Sequence, residues 1–369
     1  MAITERVSRL VCCADHCTDH ADRSISKRST QKRSISELPT VTIGLPVYNG
    51  ENFVSEAIES VLAQTFTDYE LVICDNASTD HTARICQRYA QQDARIRYYR
   101  NARNEGPAWN YNRTFALARG RYFKWVAHDD KFEPEMLEKL LEPLEQHPEA
   151  VLGFAQVDVI DAAGELIEPY AVEMQLDGDR PARRFQEMIS LKHRCYEIFG
   201  LIRKDALANT PLIGSYAGSD RVLLSQLSLQ GRFEIVSEPL FKAREHAQQS
   251  IAMLRQPRFK LLRMHDYAVW FDPQNKGKLL FPNWRILTEY VRVVYFAPIA
   301  VREKIECAWV LFQWLLAYRN IAKLVRDLAI ASAQVLGKVR PAGGQTTDRN
   351  RVPKIRNKLT KINNSSIKP

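Results

Sequence analysis

The sequence predicts an α/β fold, a doubly wound and mostly parallel sheet that is followed by a C-terminal helical region. From residue 40 onward, short apolar segments alternate with segments of helical periodicity, which is the pattern of strands joined by crossover helices. Two acidic clusters, at 75–80 and 128–130, come directly after apolar segments. Ligands bind at the carboxyl ends of the strands in an open parallel sheet, so both clusters are expected to face one crevice.

The first half of the chain is predicted to alternate strands and helices in order. The strands are short apolar stretches bounded by turn-forming residues, at 41–45, 69–74, 96–99, 122–126 and 151–157. The helices between them are expected at about 51–63, after Ser78, at 107–118 and at 133–146. Pro107 suits the first position of its helix, and Ser78 is expected to cap the second helix with Asp80 in its first turn.

The pattern is looser after residue 158. A hairpin turn is predicted at 161–164, strands at 195–202 and 233–236, and an amphipathic helix at 220–230. From about 258 to 337 the sequence is helical in pattern, and this is the predicted C-terminal helical region.

Composition predicts four segments: a disordered leader over 1–38, a folded domain over 39–257, a helical region over 258–340 and a basic disordered tail over 341–369. The formal net charge of +9 comes mainly from the end of the chain, where residues 338–369 hold nine Lys/Arg residues and one acid. The body is close to neutral, which argues against nucleic-acid binding. The tail suits peripheral contact with an anionic membrane.

Cysteine usage and hydropathy predict a cytoplasmic protein. The 369 residues include seven cysteines, an odd number without regular spacing, as expected for reduced thiols. Neither a signal peptide nor a membrane-spanning segment is expected. The segment 12–20 has the Cys and His residues of a zinc site, but no second pair completes a known spacing, and incidental thiols in a flexible leader are the simpler interpretation.

Several short motifs in a fixed order resemble those of the family 2 glycosyltransferases, which have the GT-A fold and invert the anomeric carbon. They lie at 42–50, 75–80, 104–106, 118–120 and 129–130. The resemblance covers about 40–246, and the order makes it specific, although each motif alone is weak. It implies transfer of a sugar from a UDP- or dTDP-linked donor to a hydroxyl of a glycan or lipid-linked acceptor, in surface polysaccharide synthesis.

The resemblance implies a donor site along the ends of the first strands. Pro46, Tyr48 and Asn49 would line the nucleotide pocket, although Pro and Asn-Gly also predict a plain turn. Asp75 would accept a hydrogen bond from the imino N–H of uracil or thymine, an Asx turn or helix cap being the alternative. Asn104 and Gly106 precede a helix N-terminus, where a diphosphate binds favourably.

The segment 128–130 takes the place of the family's metal-binding motif. Asp129 would bind Mg²⁺ or Mn²⁺, and the metal would bridge the two phosphates. His128 would lie beside it in the donor site, a side chain that points into the core being the alternative. Ala127 stands where the family usually has the motif's first aspartate, which leaves the strength of metal binding open. The alternative for 129–130 is a helix-capping pair before Pro134.

Asp220 matches the family's catalytic base, an acid that opens the helix below the acceptor site. It would take the acceptor's hydroxyl proton on the face opposite the leaving diphosphate. The family usually has a second acid just before it, where this chain has Ser219, and a simple N-cap is the alternative. His246, after the last strand, resembles a family residue that reaches the metal or diphosphate, a structural histidine being the alternative.

The C-terminal helices carry aromatic residues with interleaved Lys and Arg, which suits a helix lying in a membrane interface on the inner face of the membrane. An ordinary helical cap or a dimer contact is the alternative.

Two other functions are possible for the whole chain. Ala127 is compatible with a catalytically inactive nucleotide-sugar-binding or scaffold protein. A dinucleotide-dependent oxidoreductase is disfavoured, because the first strand is not followed by Gly-x-Gly-x-x-Gly.

Overall fold

The computed structural model describes residues 38–247, 249 and 263–337. The cysteine-rich segment 12–20 and the basic tail lie outside them. The strands are β1 (Val41–Val47), β2 (Tyr69–Asp75), β3 (Ile96–Arg100), β4 (Tyr122–Trp125), β5 (Lys131–Phe132), β6 (Ala150–Ile160), β7 (Leu166–Tyr170), β8 (Leu201–Arg203) and β9 (Arg232–Arg244).

The α-helices of the described residues lie between and after these strands. They are α1 (Val54–Leu62), α2 (Thr82–Gln92), α3 (Pro107–Ala116), α4 (Met136–Gln146), α5 (Pro181–Ser190), α6 (Lys204–Ala208), α7 (Ser219–Gln230), α8 (Arg263–Phe271), α9 (Pro282–Phe296), α10 (Val301–Leu316) and α11 (Tyr318–Val335). Two short 3-10 helices span Tyr196–Phe199 and Pro273–Asn275.

The strands form one mixed sheet in the order β3-β2-β1-β4-β8-β6-β9-β5, with β7 paired to β6. The first four strands in this order run parallel. β8 is antiparallel to both of its neighbours, and β6 and β9 run parallel to each other. The carboxyl ends of β1, β2 and β4 therefore meet at one edge. The predicted GT-A-like class, a mostly parallel sheet followed by C-terminal helices, is confirmed.

Helices cover both faces of the sheet. β1 and β2 are buried at every residue, which explains why these strands are mostly apolar rather than alternating; the buried polar residues are Thr42, Glu70 and Asp75. On one face the core includes apolar side chains of α1 and α4, and on the other it includes those of α3 and α7. Residues of β4 divide between the two, because Tyr122 faces the first core and Phe123 and Trp125 face the second.

Most predicted elements of the first half are present with shifted ends, but the predicted cap of α2 is wrong. α2 begins at Thr82, and Ser78 lies outside it, where its Oγ accepts a hydrogen bond from Asn49 N at 2.9 Å. Asp80 instead accepts the Thr82 N–H at 3.0 Å. The chain therefore uses Ser78 to hold the preceding loop rather than to start the helix.

The predicted strand at 195–202 is wrong over most of its length. Cys195 has a positive φ of 59°, and the chain then forms a 3-10 helix before β8. At Gly200 an added Cβ would lie 2.5 Å from the carbonyl oxygen of Gly153 on β6. The close approach to β6, rather than strand pairing along the whole segment, sets the local backbone.

The predicted C-terminal helical region consists of α8 to α11 in the described residues. α9 packs on α7, and the Tyr290 ring contacts Phe185 of α5 and Trp314 of α10 edge-on. Asn283 donates from its backbone N–H and its side chain to the two buried carboxylate oxygens of Asp327, at 2.7 and 2.8 Å. None of the helices in the described part of the chain is both long and apolar enough to cross a bilayer.

Candidate active site

One asparagine, Asn49, sets the backbone of the loop after β1 and fixes the loop in place. Asn49 has a positive φ of 51°, a conformation that asparagine tolerates better than most residues. Its side-chain oxygen accepts the Thr79 N–H at 2.8 Å, which ties the loop to the segment after β2. Pro46 lies inside β1, buried and in register with Cys74, and Tyr48 is half-buried at the end of the strand. The predicted nucleotide loop therefore lies at the carboxyl ends of the strands.

Gly50 brings that loop directly against the end of β4. A Cβ at this position would lie 2.4 Å from Cδ2 of His128 and 2.8 Å from a methyl carbon of Val47. Only glycine leaves room for the imidazole there. The segments 46–50 and 128–130, which are far apart in sequence, thus form one wall.

Asp75 closes β2 and is fully buried. One carboxylate oxygen accepts the Ser78 N–H at 2.8 Å, and the other accepts the Tyr98 hydroxyl at 2.8 Å and lies 3.4 Å from Nε of Arg100. Protein donors thus engage both oxygens in this conformation. The side chain organises the end of the strand, and its contact with a nucleobase stays a prediction.

A buried amide network connects the ends of β2 and β3 to α3. Asn76 donates to Oδ1 of Asn104 at 2.9 Å and to the carbonyl of Gly106, and accepts from Asn101. Asn110 of α3 donates to the Cys74 carbonyl at 2.7 Å. Gly106 has a φ of 88° and directly precedes α3, so Asn104 and Gly106 lie at a helix N-terminus as predicted.

Asp129 and His246 meet at the end of β4, although 117 positions separate them in the sequence. Nε2 of His246 lies 2.9 Å from Oδ2 of Asp129, and Nδ1 of His128 lies 4.0 Å from Oδ1. Burial alone would raise the pKa of Asp129, but the charge of His128 and the hydrogen bond from His246 outweigh it and hold the pKa below its ordinary value. The carboxylate is therefore ionised at neutral pH.

Arg244 fixes this pair and was not singled out from the sequence. It is almost fully buried, its Nε donates to the Asp129 carbonyl at 2.8 Å, and its backbone N–H donates to Oδ1 of Asp130 at 2.9 Å. Its guanidinium also reaches Glu56 on α1 at 2.8 Å. The end of β9, and with it His246, is thereby joined to the segment after β4. The helix-capping alternative for 129–130 does not apply, because β5 follows and α4 begins at Met136.

Lys124 and Asp130 are both buried near the end of β4 and influence each other electrostatically. Burial lowers the pKa of Lys124 to about 7, partly opposed by Asp130. Burial and the negative charge of Asp129 raise the pKa of Asp130 well above its ordinary value. The Lys124 ammonium donates to the Phe199 carbonyl. A lysine inside an otherwise apolar strand was the sequence signal for this feature.

Asp220 lies in the first turn of α7, as predicted, shortly after Gly218, whose φ is 83°. It is half-buried, and Oδ1 accepts the Arg221 N–H at 2.8 Å. The preceding Ser219 is buried, and its hydroxyl has no hydrogen-bond partner among the residues that the structure describes. Polar groups at the start of α7 are thus available to a ligand.

Tyr111 lies on α3, and its phenol is influenced by the charges of Asp129, Asp130 and Asp220. Its helix is held to β4 by the Trp125 indole, which donates to the Tyr111 carbonyl at 3.1 Å. Burial, together with the charges of Asp129, Asp130 and Asp220, raises the pKa of the Tyr111 phenol. The Tyr111 phenol therefore experiences the charges from both the strand ends and α7. No sequence pattern marked Tyr111, because a tyrosine on an amphipathic helix also fits an ordinary core position.

Comparisons with known proteins give the family. Residues 42–208 match the family model for glycosyl transferase family 2, and this region of the chain belongs to that family. A chondroitin synthase of Escherichia coli is 32% identical over 141 residues, 38% of this chain and 20% of that protein. A putative teichuronic acid biosynthesis glycosyltransferase of Bacillus subtilis, TuaG, is 36% identical over 104 residues, 28% of this chain and 41% of that protein. The chain thus spans less than half the length of these relatives.

Solved structures include more distant neighbours. Residues 1–349 of Staphylococcus aureus TarS, in complex with UDP-GlcNAc, are 16% identical with a TM-score of 0.49, covering 81% of this chain and 92% of that one. The mannosyltransferase PcManGT of Pyrobaculum calidifontis, in complex with GDP-Man and Mn²⁺, is 14% identical with a TM-score of 0.44, covering 91% of this chain and 94% of that one.

Proposed function

We propose that this chain is an inverting glycosyltransferase that moves a sugar from a nucleoside diphosphate donor, UDP- or dTDP-linked, to a hydroxyl of a glycan or lipid-linked acceptor. The observation that carries the proposal is the contact of the buried Asp129 with His246 at the strand ends, in a chain whose residues 42–208 match the family model for glycosyl transferase family 2. Asp220 opens α7. Direct displacement at a sugar carbon needs such a division, with charge stabilisation at the leaving group and a base on the opposite side.

The chain's own residues divide the work as follows. Asp220 accepts the proton of the acceptor hydroxyl as the hydroxyl oxygen attacks the anomeric carbon. The unpartnered Ser219 hydroxyl beside it is positioned to hold the acceptor. The loop 46–50 borders the nucleotide, and the N-terminus of α3 binds the phosphates. Asp75 keeps the predicted nucleobase role, with Ser78 and Tyr98 setting its orientation.

The donor set at Asp129 fits a divalent cation. An ionised carboxylate lies beside two imidazoles. Both Mn²⁺ and Mg²⁺ bind carboxylate oxygen, but Mn²⁺ binds histidine nitrogen more readily than Mg²⁺ does. Asp129 and His246 would hold the ion, which when bound neutralises charge on the departing diphosphate. Among the described residues, no group of three or more His, Cys, Asp or Glu side chains is arranged as a metal site, so water and phosphate oxygens would complete the shell.

A donor screen tests the proposal. The protein is incubated with UDP-, dTDP- and GDP-linked sugars, with Mn²⁺, with Mg²⁺ or with a chelator, and released nucleoside diphosphate is detected. Release that depends on donor identity and is lost in Asp220→Asn supports transfer. Binding of UDP by calorimetry with no release from any donor and acceptor mixture favours the second candidate, a catalytically inactive nucleotide-sugar-binding protein, with which Ala127 is compatible. Polysaccharide synthesis at the inner face of the membrane, with peripheral contact to anionic lipid, is part of the same proposal.

A further inference from the structure

The outward face of α10 is apolar from end to end. Its exposed side chains recur at helical spacing and are 47–73% exposed; they are Val301, Ile305, Trp309, Phe312 and Leu316. The opposite face is also apolar, with Cys307, Val310 and Leu311 in the core. From Cys307 to Leu316 the helix is apolar on both faces apart from Gln313, and a helix that is apolar all round is normally buried on every side, so this part of α10 lacks a cover on its outer face.

The next helix, α11, repeats the pattern. Its exposed apolar side chains are 43–71% exposed; they are Ile321, Val325, Leu328 and Val335. Ser332 lies on the same stripe, the exposed Lys323 lies off it between Ile321 and Val325, and the buried Asp327 lies on the inner side. Tyr295 and Phe296, at the end of α9, are about equally exposed, at 71% and 70%. We call these exposed residues of α9, α10 and α11 the C-terminal apolar face.

Water is a poor environment for this surface. A solvated helix normally turns charged residues outward, whereas α10 and α11 each turn an uncharged stripe outward. Contiguous exposed apolar patches mark binding to a protein or a membrane. Among the residues that the structure describes, no segment lies over the face.

The charges around the face favour a bilayer over a second copy of the chain. Arg292 and Arg302 are exposed beside it, each paired with a partly buried glutamate. Beyond Gly337, the last of the described residues, the segment 338–369 adds nine Lys/Arg residues against one acid. A second copy of the chain carries the same excess of positive charge, and like charges oppose association. An anionic lipid surface attracts the basic residues of 338–369 and accommodates the exposed apolar side chains.

We propose that the C-terminal apolar face lies in the interface of an anionic lipid bilayer, with the segment 338–369 supplying the electrostatic attraction. The helices lie on the bilayer rather than cross it. The C-terminal apolar face would make the peripheral membrane contact that is part of the proposed function. This inference rests on that contact and not on the transfer chemistry. Both signals are needed, because one weak apolar anchor or one basic segment alone binds reversibly and weakly.

Co-sedimentation with liposomes tests the surface. Ile305→Gln/Val325→Gln places one amide on each helix, at side chains that are 65% and 58% exposed. Leu166→Gln/Ile167→Gln on the β7 hairpin is the matched control, with exposures of 60% and 53%. With vesicles of phosphatidylcholine and phosphatidylglycerol at low salt, partitioning of the first variant should fall about tenfold, and the control should match wild type. Equal loss in both variants, or loss in neither, overturns the proposal.

Two further measurements separate the alternatives. Deletion of 338–369 should remove the preference for anionic over neutral vesicles and its salt dependence. Light scattering reports the mass of wild type: a dimer that Ile305→Gln/Val325→Gln dissociates, with unchanged liposome binding, would assign the face to a second copy instead. Nucleotide release without vesicles should be equal in all these proteins, so failure of the donor screen leaves this test intact.

Fluorescence adds a test without loss of apolar character. Brominated lipids should quench wild-type tryptophan emission, and Trp309→Phe should lose a larger part of that quenching than Trp284→Phe, whose indole donates to the Leu324 carbonyl. Equal quenching in wild type and Trp309→Phe would place Trp309 outside the bilayer.

Discussion

The two sides of the candidate site differ in how fully the protein itself satisfies their polar groups. At the strand ends, Asp75 and Asp129 are buried and each is engaged by protein donors, from Ser78 and Tyr98 in one case and from His246 in the other. At the start of α7, Asp220 has one short-range backbone donor, and the neighbouring buried hydroxyl has no partner in the described structure. The polar groups on the strand-end side therefore have protein partners without a ligand, whereas the α7 side leaves a buried hydroxyl without one in the described structure.

This difference indicates how the site would bind the nucleotide-sugar donor and the hydroxyl acceptor. A preorganised set of charges stabilises a transferring diphosphate without reorganisation during the reaction. Buried polar groups that lack protein partners are expensive unless a ligand or water satisfies them, so the start of α7 favours an incoming hydroxyl. Substitutions on the α7 side should therefore reduce turnover, and substitutions at the strand ends should reduce donor affinity or the order of the site.

The largest effect is expected from Asp220→Asn. The amide keeps the size and the capping capacity of the side chain but cannot take a proton, so transfer should fall by roughly 10²–10⁴-fold while UDP affinity is kept. Transfer rate and UDP affinity are measured on the same preparation. Asp205→Asn is the control, since Asp205 also lies in a first turn and accepts the next residue's N–H at 2.8 Å. Near-normal transfer in Asp220→Asn would exclude a role as base, and lost UDP affinity would move Asp220 to the donor side.

Asp129→Ala and His246→Ala should instead act on donor binding. Each removes one partner of the pair at the end of β4, and the gain in UDP affinity on adding Mn²⁺ should fall about 10–100-fold. Titration calorimetry with and without the metal measures it. His147→Ala is matched, because its imidazole also lies 2.9 Å from a carboxylate, that of Glu234, away from the site. An unchanged response to Mn²⁺ in both variants would refute the metal assignment.

Gly50→Ala probes the wall between the two segments of the strand-end side. The new methyl group must displace the His128 ring, which should cost about 1–3 kcal/mol of stability and weaken donor binding several-fold. Urea unfolding and UDP titration give the two quantities. Gly178→Ala is the control, because a Cβ added there would have no other atom within 4 Å. Full stability and affinity in Gly50→Ala would mean that the contact with His128 is not tight.

The smallest effect concerns Lys124, near the end of β4. Its folded-state pKa of about 7 lies below the ordinary 10.5, so between these values the unfolded chain binds one more proton. Stability should therefore rise with pH above 7, by at most about 1.4 kcal/mol per pH unit, and Lys124→Met should lose that rise. Urea midpoints at pH values of about 6 to 9 measure the slope. Lys139→Met changes an exposed lysine that is paired with Glu238, and this variant should keep the pH dependence of stability. If Lys124→Met also keeps the wild-type slope, the slope belongs to another group.

Local pattern predicted the strands and helices of the first half well, because apolar runs and amphipathic periods report burial directly. It failed where long-range packing sets the backbone. The 3-10 helix before β8 follows from the approach of Gly200 to β6, and Ser78 is used by Asn49 rather than by α2. Neither contact is visible in a window of neighbouring residues.

The sequence by itself determined the order of strands and helices, the acidic positions at the strand ends and at α7, and the basic charge after α11. Only the tertiary structure brought Asp129 to His246, through the antiparallel pairing of β5 with β9 and the buried guanidinium of Arg244. It also decided that α10 and α11 turn apolar stripes outward. The physical reason is that residue type and spacing report what a segment can bury, whereas the choice of partner depends on which distant surfaces the sheet brings together.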